Sequence, residues 1–175
     1  MKLIQECWST GELPQVMSHQ ILVLIPKAEQ GKFCGIGLLE TPWKIIALII
    51  NQRLSEVQYH SALHGFRQGR GTGTCILEAK LAAQAAIKDH ELLYQVFLDF
   101  SNAYSTMSRE RLVEVLKRYD IGDRALRLLC QFWKQEIIVA RQAGMYGKPF
   151  RAGRSVTQGD PLSPTISSIL SLTLL

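Results

Sequence analysis

The feature that most constrains this chain is a short apolar run that stops on a carboxylate. Val96, Phe97 and Leu98 are followed at once by Asp99, inside the string QVFLDFSNAY of residues 95–104. A brief continuous apolar run of this kind suits a buried strand. The expectation is therefore a strand with Asp99 at its C-terminal end. A carboxylate at the edge of a core is costly unless something positive meets it, and a divalent cation would serve. Tyr104 then presents an aromatic ring just past the strand. The plainer alternative is a core strand running into an Asx turn, with Asp99 bonded to nearby amides.

The chain has 175 residues, 47% of them hydrophobic, which is enough for one domain with a real core. Twenty basic residues against fifteen acidic ones leave a formal charge of +5, which fits a nucleic-acid partner without requiring one. Cys7, Cys34, Cys75 and Cys130 lack metal-ligand or pairing spacing and read as buried thiols of a reducing compartment. That points to an intracellular setting, nuclear or cytoplasmic. His60 and His64 are four apart, but no companion ligand stands near them. No stretch approaches the ~20 apolar residues that span a bilayer, so no membrane is expected. The last residues, SSILSLTLL, are an apolar run with no polar cap. They read as a core helix that continues into further chain.

Taken in order, MKLIQECW reads as a helix tail stopped by the turn from Gly11 to Pro14. Residues 21–25 form an apolar strand closed by Pro26. Lys27 and Lys32 flank the turn that follows, as solvated charges or as phosphate contacts. Thr41 and Pro42 open a helix whose face of Ile45, Ile46, Leu48, Ile49 and Leu54 packs through about Val57. Residues 63–74 place glycines at 65, 69, 71 and 73 around Arg67 and Arg70. Such a loop lets backbone approach a phosphate while arginines grip it, or it is a flexible surface loop. An alanine-rich helix, expected to pack closely, follows to about Lys88. Ser108 caps another helix, and Leu126 to Trp133 mark a further one. Residues 136–156 read as a hairpin, with its turn at 143–147 and a return strand over 148–156. It carries Arg141, Lys148, Arg151 and Arg154, either solvated or set against a nucleic-acid backbone. TQGDPLSP, residues 157–164, is a Gly/Pro turn feeding a last helix.

Four strings in this order, IPK, GFRQGRGT, VFLDFSNAYSTM and TQGDPLSP, resemble the motifs of reverse transcriptases. The likeness is greatest to those of non-LTR retrotransposons and group II introns, and it covers residues 20–175. It implies an α/β (α+β) right-hand polymerase: an N-terminal extension over 1–19, a fingers portion over 20–93, and a partial palm over 94–175. The palm's antiparallel sheet would be backed by helices, and the chain would stop before the paired-aspartate motif.

The implied activity is RNA-templated DNA synthesis, in which a primer 3′-hydroxyl attacks the α-phosphate of a deoxynucleoside triphosphate. The implied cofactor is a pair of Mg²⁺ ions, with Mn²⁺ as a substitute, and each ion needs several hard oxygen ligands. Asp99 maps onto the catalytic, metal-binding carboxylate. Tyr104 maps onto the ring beneath the incoming sugar that excludes a 2′-hydroxyl. Gln158 and Gly159 map beside the templating base and nucleotide, and Lys27 and Lys32 lie near the triphosphate. Arg67, Arg70, Arg141, Lys148, Arg151 and Arg154 are the candidate contacts to RNA template and DNA primer.

The chain departs from the pattern at Cys34, Thr74, Ser105 and Thr157. Where Cys34 stands, an arginine is expected against the triphosphate, a contact worth about 1.5–3 kcal/mol. With a single metal-binding aspartate, the chain alone is expected to be inactive unless a further polypeptide segment completes palm and thumb. Two alternatives are a non-catalytic nucleic-acid-binding module and a degenerate remnant of a retroelement.

Overall fold

The computed structural model describes residues 2–55, 59 and 61–172. Helix α1 (Lys2–Thr10) ends where Gly11 takes φ +71° and returns its N–H to the Cys7 carbonyl at 2.9 Å. A 3₁₀ turn (Gln15–Ser18) leads into strand β1 (His19–Pro26), which pairs antiparallel with β2 (Phe33–Leu39). Helix α2 (Thr41–Ser55) follows, starting where Thr41 and Pro42 predict it. Val57 and His60 lie outside the described residues. Next come α3 (Thr72–Lys88), the single turn α4 (Ala103–Thr106), α5 (Arg109–Arg118) and α6 (Asp123–Gln135). Strands β3 (Ile137–Gln142) and β4 (Met145–Tyr146) and helix α7 (Ser163–Leu172) complete the chain.

The four strands make one mixed sheet, in the order β2-β1-β3-β4. β1 and β3 run parallel, with His19 opposite Ile137 and Val23 opposite Arg141. The sheet is thus not the purely antiparallel one expected. The β3–β4 hairpin turns on Ala143 and Gly144, both at positive φ. The twist of the flanking strands favours such a two-residue turn. Of the return strand expected over 148–156 only a bridge between Phe150 and Ile138 forms, and the short β4 lies within the expected turn at 143–147.

Helices back the sheet around one core. Trp43 of α2 stacks on Phe132 of α6, with ring centroids 3.9 Å apart and planes 12° from parallel. Ile46, Ile50, Leu54, Leu112, Leu116 and Leu128 close around them. The segment read as an extension belongs to the same core through Cys7, Leu13 and Met17. Gln131 of α6 pins it, accepting from the Leu13 N–H at 2.7 Å and donating to the Gly11 carbonyl at 3.0 Å.

Three further expectations fail. Residues 91–100 form no strand, and Val96, Phe97 and Leu98 are 82%, 89% and 77% exposed. An apolar run with no polar alternation needs neighbours on both faces and both edges. Here the run pairs with no strand of the sheet. Helix α3 forms, but none of its residues is buried. Its alanines supply helix propensity without packing. Of the four cysteines, only Cys7 is buried.

Asp160 is the buried acid that fastens α2 to the start of α7. One carboxylate oxygen accepts from the Trp43 indole N–H and the other from the Leu162 N–H, both at 2.9 Å. Asp160→Ala strands both donors, each costing about 1–3 kcal/mol when left unpaired. A loss of roughly 2–5 kcal/mol in urea unfolding is the expected result.

Candidate nucleotide cleft and basic loops

The strings at 20–35, 102–105 and 155–158 are remote in sequence, yet they line one cleft of about 520 Å³. Period-two alternation along β1 aims Gln20, Leu22 and Leu24 into it, and Lys27 stands at its rim beyond Pro26. Cys34 and Gly35 of β2, opposite Ile25 and Leu24 in the ladder, also line it, as do Tyr104 and Gln158.

Backbone hydrogen bonds hold these walls in register. Asn102, at φ +51°, starts the α4 turn, and its carbonyl accepts from the Ser105 N–H at 3.0 Å. The Tyr104 carbonyl accepts from the Val156 N–H, and the Met107 carbonyl from the Ser155 N–H, each at 2.9 Å. Two residues further on, the Gln158 carbonyl accepts from the Gly37 N–H at 2.7 Å. The Cys34 thiol reaches the Gln158 side-chain oxygen at 3.3 Å. Gly159 is needed for this approach. It sits at φ +112°, and a Cβ there would lie 2.5 Å from the Gly37 carbonyl oxygen. Gly159 therefore packs the turn against β2 and is not among the residues lining the cleft.

Beneath the cleft lies a network that no sequence string announced. Glu136, at the junction of α6 and β3, is 0% exposed and pairs with Arg109 at 2.5 Å. Arg109 also donates to the carbonyls of Ser155 (2.9 Å), Ala152 (2.8 Å) and Trp133 (3.2 Å). The Gln20 side-chain N–H₂ donates to the other Glu136 oxygen at 3.1 Å. Its own carbonyl oxygen is buried with no partner among the described residues. This arginine follows an ordinary helix cap, Ser108, and the acid follows an ordinary amphipathic helix. Only the tertiary fold brings them together.

The remaining candidates scatter. Asp99 does not line the cleft; it is exposed, and one oxygen accepts from the Phe100 N–H at 3.0 Å. Lys32 pairs with Glu29 at the exposed turn and lies outside the cleft. Arg67 lies 5.3 Å from the Tyr59 ring centroid, and Arg70 bonds to the Ser61 carbonyl. Arg141 is half-buried on β3, whereas Lys148, Arg151 and Arg154 are exposed beyond the hairpin. Among the described residues no three His, Cys, Asp or Glu side chains gather to hold a metal. Asp99 alone cannot fill a magnesium shell, so the described residues do not fit the implied metal pair. Asp160 is committed to Trp43 and Leu162.

The fold is thus a mixed α/β one, with a cleft between a sheet and two turns, one starting at Asn102 and one dependent on Gly159. The reverse transcriptase (RNA-dependent DNA polymerase) family profile matches residues 25–175, and the chain belongs to that family. It is also similar to the Transposon TX1 uncharacterized 149 kDa protein of Xenopus laevis, at 23% identity over 176 residues. The match covers 96% of this chain and 13% of that protein, so the chain spans a small part of its relative's length. No helix among the described residues is long and apolar enough to cross a membrane.

Burial raises the pKa of both Glu136 and Asp160; Arg109 opposes it at Glu136, and the Leu162 and Trp43 hydrogen bonds oppose it at Asp160. The folded chain therefore binds these protons more tightly than the unfolded chain does. Their contribution to stability is complete below the ordinary carboxylate range and falls as pH rises through the raised folded values. Urea midpoints measured across that range should fall with rising pH and then level off. Glu136→Gln should flatten part of the fall, and an unchanged slope would contradict this assignment.

Proposed function

We propose that this chain is the nucleotide- and template-handling part of an enzyme for RNA-templated DNA synthesis. The reading rests on Lys27, Tyr104 and Gln158 lining one cleft, although they lie far apart in the chain. A cleft of about 520 Å³ is of the size that takes a nucleotide-scale ligand. Lys27 at the rim is the point charge for a triphosphate, and Tyr104 is the flat ring for a deoxyribose. Gln158, braced by Cys34, is the polar contact beside the base. The arginines of the 63–74 loop and the cations at Arg141, Lys148, Arg151 and Arg154 are backbone contacts to RNA template and DNA primer. Divalent-metal catalysis goes with the family, but Asp99 offers only one of the ligands needed. The roles assigned to this chain are therefore binding and orientation. The division into fingers and palm portions near residue 93 belongs to the same proposal.

A second reading, a non-catalytic nucleic-acid-binding module, draws on the exposed position of Asp99 outside the cleft. One set of samples separates the two. Under the main reading, the chain binds a deoxynucleoside triphosphate, and Lys27→Ala weakens that binding about tenfold. It also binds an RNA–DNA primer–template with affinity that falls linearly in log salt. Replacing Arg67 and Arg70 together by alanine lowers that slope by about two. Primer–template binding without nucleotide binding would favour the module, and absence of both would end the main reading. Primer extension by the chain alone, lost in Asp99→Ala, would show that it is itself a polymerase.

A further inference from the structure

Gly37 of β2 is buried where the turn at 157–159 meets the sheet. Three contacts converge on it. Its N–H donates to the Gln158 carbonyl at 2.7 Å. Its own carbonyl oxygen would stand 2.5 Å from a Cβ on Gly159. Its bare Cα faces Thr157: a Cβ at position 37 would overlap the Thr157 Cγ2 methyl and lie 2.8 Å from Gln20 Oε1. Atoms in ordinary contact stand roughly 3.5–4.0 Å apart, so no side chain fits. Neither neighbour moves aside easily. Thr157 is β-branched and has few χ1 settings open to it. Gln20 is 3% exposed, and its side-chain N–H₂ is committed to Glu136 at 3.1 Å. Gly37 is not at positive φ, so close packing and not backbone conformation demands the glycine.

We propose that Gly37 is a positioning residue: by lacking a side chain it seats Thr157 on β2 and so aims Gln158 at the base of a bound deoxynucleotide. The inference rests on the nucleotide reading of the cleft given above. β2 holds Gln158 twice, at its carbonyl through the Gly37 N–H and at its side-chain oxygen through the Cys34 thiol. The ladder with β1 fixes both donors, with Gly37 opposite Leu22 and Cys34 opposite Ile25. The height of the turn above β2 is therefore set by what position 37 lacks. Glycine at 37 and threonine at 157 form a size-matched pair. A methyl gained at 37 lifts the turn, lengthens the bond to the Gln158 carbonyl and carries the Gln158 side chain away from Cys34. Removing the Thr157 methyl makes room again, and a small tilt of the Gln20 carboxamide, whose oxygen has no partner among the described residues, clears the rest.

The test compares variants of the full chain by deoxynucleoside triphosphate binding, RNA–DNA primer–template binding and amide hydrogen exchange. Gly37→Ala should weaken nucleotide binding about fivefold, the equivalent of one neutral hydrogen bond. The loss should be confined to the nucleotide, because neither Gly37 nor Thr157 is among the basic residues proposed to hold primer and template. The amide of residue 37 should exchange faster while those of the α2 and α6 core keep their rates. Adding Thr157→Ser to Gly37→Ala should restore most of the nucleotide affinity and slow that exchange again.

Gln158→Ala separates positioning from general damage. In that background Gly37→Ala should cost no further nucleotide affinity, because the two changes act through one side chain. Parental nucleotide affinity in Gly37→Ala overturns the proposal. So does a loss that Thr157→Ser fails to relieve, or one that adds in full to Gln158→Ala. Core amides that speed up together with residue 37 point to general loosening and overturn it equally. Each of these outcomes leaves the nucleotide reading standing. Absence of nucleotide binding in the parent chain defeats that reading and this inference with it.

Discussion

The arrangement of the cleft depends on a buried ion pair. Arg109 and Glu136 meet where helix, strand and loop converge; Glu136 is fully buried and the Arg109 side chain is only 11% exposed, so little water is at hand to make either charge cheap. A buried pair of this sort seldom adds much net stability over apolar packing, but removing one partner is severe, about 3–5 kcal/mol. Its effect here is geometric. The guanidinium gathers the carbonyls of Trp133, Ala152 and Ser155, while the carboxylate fixes Gln20 on β1. Residues 152–155 have almost no ladder of their own, so this pair substitutes for a strand partner. From Ser155 onward the backbone carries the order forward, to Met107 and Tyr104 and then to Gly37 through Gln158.

Local signals were the legible part of the fold. Pro26 closed β1, Ser108 capped α5 with its hydroxyl accepting from the Arg111 N–H, and TQGDPLSP became a turn feeding a helix. Each depends on a few adjacent residues, whose chemistry acts wherever the segment lies. What was not legible depends on partners. The apolar run at 96–98 has the composition of a central strand, but composition does not supply neighbours, and no strand of the sheet pairs with it. The alanines of α3 likewise favoured a helix and said nothing about what it would pack against. The parallel pairing of β1 with β3 spans more than a hundred residues, and no local pattern encodes it.

The candidate site divides in the same way. Lys27, Tyr104 and Gln158 were named from short strings and do share a cleft, because turns and strand alternation place them. Lys32 and Asp99 were named from the same strings and do not line it. Lys32 answers to Glu29 across an exposed turn, and Asp99 belongs to a segment with no ladder. Cys34, read as a lost positive charge, has a position of its own as donor to Gln158. Thr74, read as a departure from the expected acid, caps α3 and shares a hydrogen bond with His64. A side chain's sequence neighbours fix its chemistry; only its spatial neighbours decide what that chemistry acts on.

The central claim is that chain-remote turns are locked into one cleft by three backbone hydrogen bonds. Amide hydrogen exchange reads those bonds directly. The N–H groups of Gly37, Ser155 and Val156 should exchange together, slowly, at a rate close to that of the α2 and α6 core, while residues 91–100 exchange orders of magnitude faster. Fast exchange at Val156 and Gly37, comparable with residues 91–100, would mean that the cleft walls are not held, and the account built on them would fall.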